Sequence, residues 1–138
     1  IRQKHNDQNI RIIENQLYEK YNSCESLRLS LNNTNNSKIF IIDGGLLLHN
    51  NTFKNINLEN NYLFTQTEQE DFEIGFNINE KKVIEHISYG ASSVWSEIFY
   101  ICGDSIENLK KLLSNGNFKN KFIHAGLHDC KSFQKTFL

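Results

Sequence analysis

The chain has 138 residues, and its 15 basic and 16 acidic side chains give a net charge of -1. This length fits one domain, so residues 1–138 are expected to form a single domain. No stretch approaches the roughly 20 apolar residues that a membrane-spanning helix requires, which excludes such a helix. We also expect no membrane partner. Aromatic residues make up 12% of the chain, and their large buried surfaces favour a compact core over disorder.

The first predicted element is an amphipathic helix over residues 7–22. Its apolar side chains recur every three or four residues, as one face of a helix requires: Ile10, Ile13, Leu17 and Tyr21. Asn22 and Ser23 are predicted to end this helix.

Two short apolar runs follow, and both are predicted to be strands. Residues 27–31 alternate between apolar and polar side chains, which is typical of a half-buried strand. Residues 38–42 are apolar on both faces, which favours the interior of a sheet. Asp43, Gly44 and Gly45 then predict a tight turn.

The middle of the chain predicts a hairpin followed by a central strand. Residues 71–78 alternate strictly, and residues 82–89 return as the second strand. Residues 94–102 are apolar on both faces, so we place that strand in the sheet centre. The predicted core comprises Phe72, Ile74, Phe76, Ile78, Trp95, Phe99 and Ile101.

A late helix is predicted over about residues 105–115, because apolar residues with helical spacing follow Asp104 and Glu107. Residues 121–127 are compatible with a strand, and residues 128–137 with a short basic helix or a frayed tail. The order helix, several strands, helix predicts an α+β fold: a mostly antiparallel sheet on which the N-terminal and late helices pack.

Charge is concentrated in the middle of the chain. Residues 59–85 carry seven acidic and two basic side chains. Such a surface attracts cationic partners, so we expect a basic protein partner and no nucleic acid. The predicted partner-binding residues are Glu59, Glu68, Glu70, Asp71 and Glu73.

Two groups of side chains have catalytic potential. His124 and His128 share one face if their segment is helical, a spacing that can bind a metal or a substrate. Glu85 and Glu97 each interrupt an apolar face. If their strands were antiparallel neighbours, the two carboxylates would lie close together and one would have a raised pKa. Such a pair could act as general acid and base. Neither group is a complete ligand set, so we expect no metal and no cofactor.

The three cysteines are widely spaced, and their odd number favours a reducing, cytoplasmic compartment. The leading hypothesis is a small non-enzymatic interaction protein of the immunity or antitoxin type. It would neutralise a basic partner, such as a nuclease toxin, through its acidic surface. One alternative is a small hydrolase or nuclease that uses the two histidines with Glu85 or Glu97. The other is a structural subunit of a larger assembly.

Overall fold

The computed structural model describes residues 10–48, 52–53, 56, 58–65, 73–130 and 134–137. Three α-helices lie in these ranges: α1 (Ser23–Asn32), α2 (Asp104–Leu113) and α3 (Ile123–Cys130). The strands are β1 (Lys38–Ile42), β2 (Tyr62–Thr65), β3 (Ile74–Ile78), β4 (Ile84–Tyr89), β5 (Ser93–Cys102) and β6 (Gln134–Phe137). No described helix is long and apolar enough to cross a membrane.

The strands form one mixed sheet in the order β4-β3-β5-β2-β6, and β1 also pairs with β5. Every pair is antiparallel except that between β2 and β6. The predicted α+β fold, with a mostly antiparallel sheet and helices packed on it, is therefore confirmed. The predicted central strand is also confirmed, because β5 pairs along both of its edges.

Two strands share one edge of β5. β1 pairs with residues 98–102, and β3 pairs with Ser93 and Val94 nearer the start of β5. β2 occupies the opposite edge. Between the parts paired with β1 and β3 lie residues 95–97 of β5, the last of which is Glu97, and this gap positions the candidate site.

The helix predicted over residues 7–22 is wrong. Among the described residues of the predicted helix, 10–22 are not helical, and the first helix begins at Ser23 instead. Residues 27–31, predicted as a strand, lie inside α1. The reason is that Cys24, Leu27 and Leu31 recur at spacings of three and four, and all three are buried. Asn22 does not end a helix; its side chain accepts a hydrogen bond from the Ser23 amide at the start of α1.

The sheet buries a large apolar cluster on its helix-covered face and a small aromatic one on the other. Phe76, Trp95, Phe99 and Ile101 belong to the first cluster and are buried as predicted, while Ile74 and Ile78 are partly buried against it. Phe72 lies outside the described residues. The second cluster contains Phe64, Ile98 and Tyr100, with Phe40 and Phe53 against it.

The β3–β4 hairpin and the late helix are confirmed, the latter as α2. Gly75 lets β3 approach β5 closely, because a Cβ there would lie 2.3 Å from the Ser93 carbonyl oxygen. The predicted strand at residues 121–127 is wrong, since residues 123–130 form α3. Residues 134–137, predicted as helix or tail, form β6, and β2 was not predicted at all.

Candidate active site

The first site residue, Asp43, directly follows the carboxyl end of β1. Its amide donates to the Glu97 carbonyl oxygen at 3.3 Å, which ties this end of β1 to β5. Its carboxylate accepts from the Gly45 amide at 2.8 Å and closes the predicted tight turn. The segment is therefore fixed by main-chain contacts on both sides, and the carboxylate stays exposed.

The second site residue, Glu97, lies in a bulge of β5. Leu63 and Thr65 of β2 pair with Phe99 and Trp95, so one residue of β2 faces three of β5. The Trp95 indole donates to the Ile98 carbonyl oxygen at 2.9 Å. These contacts hold the extra residues in a defined loop.

Glu97 has a φ of 59°, in the left-handed region that side chains other than glycine rarely adopt. The Ser96 hydroxyl donates to the Phe64 carbonyl oxygen at 3.0 Å and anchors the preceding residue to β2. As a result, Glu97 turns its side chain to the surface, although its neighbours Ser96 and Ile98 are buried. Strained backbone conformations of this kind concentrate at functional sites.

Two neighbouring carboxylates act on Glu97. Partial desolvation, and then the negative charges of Asp43 and Glu73, raise the pKa of Glu97 above its ordinary value. Because Glu97 as a whole is exposed, solvent screens these charges and reduces the free-energy cost of its ionised form. A cation near these groups would relieve the repulsion.

A groove of about 690 Å³ opens beside these carboxylates. Residues 39–44 form one wall, and α1 forms the other through Ser23, Ser26, Leu27, Ser30 and Leu31. Trp95 and Glu97 of β5 and the first residues of α3 also line it. Its volume lies within the usual range for small-molecule sites.

Phe122 and His124 give the groove an aromatic side. Their rings stack at 5.8 Å with an angle of 11° between planes, and the Phe122 residue is 57% exposed. Burial lowers the pKa of His124, which favours its neutral form. Tyr89 contacts the His124 ring edge-on at 6.1 Å.

The predicted catalytic residues are only partly brought together. His124 and His128 both lie on α3, but His128 faces β4, where its Nδ1 accepts from the Ile87 amide at 3.3 Å and its ring stacks on His86 at 6.0 Å. Glu85 is exposed on β4, and β3 separates that strand from β5 and Glu97. Only His124 and Glu97 line the groove.

The predicted acidic surface is described in part. Glu59 is exposed next to β2, and Glu73 is half-buried just before β3. Glu68, Glu70 and Asp71 lie outside the described residues. Only two of the five predicted partner-binding residues lie in the described ranges, so the acidic surface and its contact with a basic protein stay predictions.

Sequence reasoning missed Asp43 as a site residue and interpreted it only as part of a turn. A signal was present, because a carboxylate followed by two glycines comes directly after a strongly apolar strand. Binding and catalytic residues are often carried by the loops that follow the strands of a rigid scaffold. The proximity of Asp43 to Glu97 had no signal, since it depends on β1 pairing with β5 in one register.

No protein-family model matches this sequence. No curated protein matches it either. The fold, however, is similar to a solved structure of CTP:phosphocholine cytidylyltransferase from Streptococcus pneumoniae (LicC), with a TM-score of 0.67 and 15% sequence identity. The similarity covers 94% of this chain and 60% of that chain, so these residues span less than two thirds of the streptococcal protein.

This similarity corrects the functional expectation. A non-enzymatic immunity or antitoxin-type protein was predicted from charge alone, and that prediction is wrong, because the chain shares its fold with a cytidylyltransferase. The acidic surface does not define this protein's class. Glu85 and Glu97 do not form a pair, since β3 lies between their strands, whereas His124 and Glu97 both line the groove. The hydrolase alternative stays a prediction.

Proposed function

We propose that this chain forms part of a nucleotidylyltransferase, an enzyme that transfers a nucleoside monophosphate from a nucleoside triphosphate to a phosphorylated small molecule. The observation that carries the proposal is the fold similarity to the cytidylyltransferase over 94% of the chain. The groove supports it, because Asp43, just after the end of β1, and Glu97, in the bulge of β5, both line a cavity of small-molecule size.

In this reaction an oxygen of the acceptor phosphate attacks the α-phosphorus of the triphosphate. The bond from the α-phosphorus to the oxygen bridging to the β-phosphate breaks, and pyrophosphate leaves with that electron pair. Reactants and transition state are strongly anionic, so catalysis depends on positioning and on positive charge.

Two exposed carboxylates fit a divalent cation of the magnesium type. Magnesium is usually held by one or two carboxylates together with substrate phosphates and water. Among the described residues no group of three or more side chains that could hold a metal ion occurs. Asp43 and Glu97 would hold the ion, and the ion would supply the charge that screens the phosphates.

The remaining groove residues would orient the substrate. The stacked rings of Phe122 and His124 offer a flat apolar face to a base or another planar group. Ser23, Ser26 and Ser30 of α1 carry hydroxyl groups along the opposite wall, and these can donate to ribose or phosphate oxygens.

Two further expectations belong to this proposal. Residues 1–138 act as one domain of the enzyme. The protein works in the cytoplasm, where nucleoside triphosphates are available and thiols stay reduced.

Burial raises the pKa of Cys24, whose Sγ donates to the Phe122 carbonyl oxygen at 3.1 Å, so this cysteine is a structural thiol.

The test uses Trp95, the one tryptophan of the chain, which lines the groove. Its fluorescence is titrated with CTP, UTP, ATP and GTP, with and without Mg²⁺. We expect saturable, magnesium-dependent binding of at least one triphosphate. Asp43→Asn should weaken it at least about tenfold, the equivalent of about 1.4 kcal/mol.

Glu85→Gln is the matched control, because it removes an exposed carboxylate on β4, outside the groove. It should bind like the unaltered protein. If no triphosphate binds at millimolar concentration with Mg²⁺ present, or if both variants behave alike, the proposed function is wrong.

A further inference from the structure

The bulge of β5 interrupts its ladder with β2. Leu63 and Thr65 are each paired with a residue of β5, whereas the register passes over Phe64 between them. Phe64 is fully buried, so its main-chain carbonyl oxygen needs a hydrogen-bond donor from the protein. The Ser96 hydroxyl donates to it at 3.0 Å. A side chain therefore joins the two strands at the point where their ladder is interrupted.

Two further hydrogen bonds fix the bulge on either side of Glu97. The Trp95 indole donates to the Ile98 carbonyl oxygen at 2.9 Å, which spans the bulge from its first residues to its last. The Glu97 carbonyl oxygen itself accepts from the Asp43 amide at 3.3 Å. These bonds and that of Ser96 keep Glu97 at its φ of 59°.

Ser96 has no place in the groove wall, although both of its neighbours do. Trp95 and Glu97 line the groove, whereas the buried Ser96 between them does not. Its influence on a ligand in the groove would therefore pass through Glu97. Side chains of a regular strand alternate between the two faces, and a change of one residue in register moves a side chain to the other face. The position of the Glu97 carboxylate thus depends on the bulge.

We infer that Ser96 is a positioning residue, whose hydroxyl holds the bulge in the register that presents the Glu97 carboxylate to the groove. The inference rests on the proposed function in one respect, namely that Glu97 would hold the divalent cation. Residues that orient metal ligands from outside the ligand set commonly contribute about 10- to 100-fold to metal affinity. Ser96 acts through the main chain and not on the carboxylate itself, so we expect the lower end of that range.

The first measurement uses Mn²⁺ alone, because it favours carboxylate ligands as Mg²⁺ does and broadens the NMR signals of nearby nuclei. In the unaltered protein, we expect it to broaden the carboxyl signals of Asp43 and Glu97. Ser96→Ala should weaken Mn²⁺ binding about tenfold. Ser96→Thr keeps the hydroxyl and should restore most of the affinity, which a loss of packing alone would not explain.

The second measurement needs no metal. The one-bond coupling between Cα and Hα of Glu97 depends on φ, and it distinguishes the left-handed from the extended conformation. Ser96→Ala should shift this coupling away from its left-handed value, and Ser96→Thr should keep it. Ser93→Ala is the matched control, because Ser93 is a buried serine of the same strand and precedes the bulge. This control should change neither the coupling nor the affinity for Mn²⁺.

Circular dichroism checks that each variant is folded. If Ser96→Ala is not, Ser96→Cys replaces it, since the thiol fills a similar space and is only a weak donor. The inference is overturned if the variant without the hydroxyl keeps the Glu97 coupling or binds Mn²⁺ like the unaltered protein. It is also overturned if Ser93→Ala weakens binding equally, or if Mn²⁺ leaves the Glu97 signal of the unaltered protein unchanged.

The same measurements separate this inference from the proposed function. Mn²⁺ binding that depends on the Ser96 hydroxyl, in a protein that binds no triphosphate, would support the role of Ser96 and contradict the proposed function. Triphosphate binding that is equally strong in Ser96→Ala and in the unaltered protein would support the proposed function and contradict the role of Ser96.

Discussion

The two halves of β5 lie in one continuous strand but differ in regularity and exposure. Residues 98–102 pair in unbroken register with β1, and Phe99 and Ile101 are fully buried on the helix-covered face. Residues 93–97 contain the bulge, the left-handed Glu97 and the carboxylate that repels its neighbours. The difference shows that one half stabilises the sheet, while the other keeps a charged side chain at the groove at some cost in stability.

The largest expected effect lies in the regular half. Phe99→Ala should lower the free energy of unfolding by about 3–5 kcal/mol, because it removes a fully buried ring from the main cluster. Urea denaturation followed by circular dichroism measures the change. Small domains are stable by only about 5–15 kcal/mol, so part of this variant should be unfolded at room temperature. A loss below about 1 kcal/mol would contradict the assignment of this half to the core.

A smaller effect is expected from the strained residue of the bulge. Glu97→Gly should make the protein about 1 kcal/mol more stable than Glu97→Ala, since both lose the carboxylate and only alanine keeps a Cβ in the left-handed conformation. The difference between the two denaturation midpoints isolates the backbone strain. Equal stability of the two variants would show that the backbone of the bulge is not strained. The two halves of β5 would then differ in stability only through the charge of Glu97.

The smallest effect is electrostatic and depends on pH. Because Asp43, Glu73 and desolvation raise the pKa of Glu97, its protonated form favours the folded state. That stability is present below the ordinary value of 4.5 and is lost as the pH rises through the raised pKa. Glu97→Gln should therefore be more stable than the unaltered protein at pH 7, by less than about 1 kcal/mol for so exposed a group.

The stability that Glu97→Gln gains over the unaltered protein should shrink as the pH falls from 7 toward 4. Thermal melts of both proteins across that range measure the difference. Glu85→Gln serves as the reference, because Glu85 is exposed on β4 away from the groove. A Glu97→Gln advantage that stays constant with pH would exclude titration as its cause.

Local patterns predicted those elements whose periodicity allows one interpretation. β5 is apolar on both faces over many residues, and only the centre of a sheet can bury such a strand. The five-residue run from Leu27 to Leu31 allows two interpretations, because positions four apart share a face in both a strand and a helix. The structure resolves the ambiguity through Cys24, one helical turn earlier, which is buried on the same stripe.

By itself the sequence determined the α+β class, the central strand, the β3–β4 hairpin and the late helix, because each depends on residues that are close in the chain. The tertiary structure decided which strands are neighbours, and thus that Glu97 meets Asp43 rather than Glu85. It also decided that β1, an interior strand by composition, pairs with β5 alone among the described residues. Both outcomes follow from pairing between distant segments, and no local period encodes which segments pair.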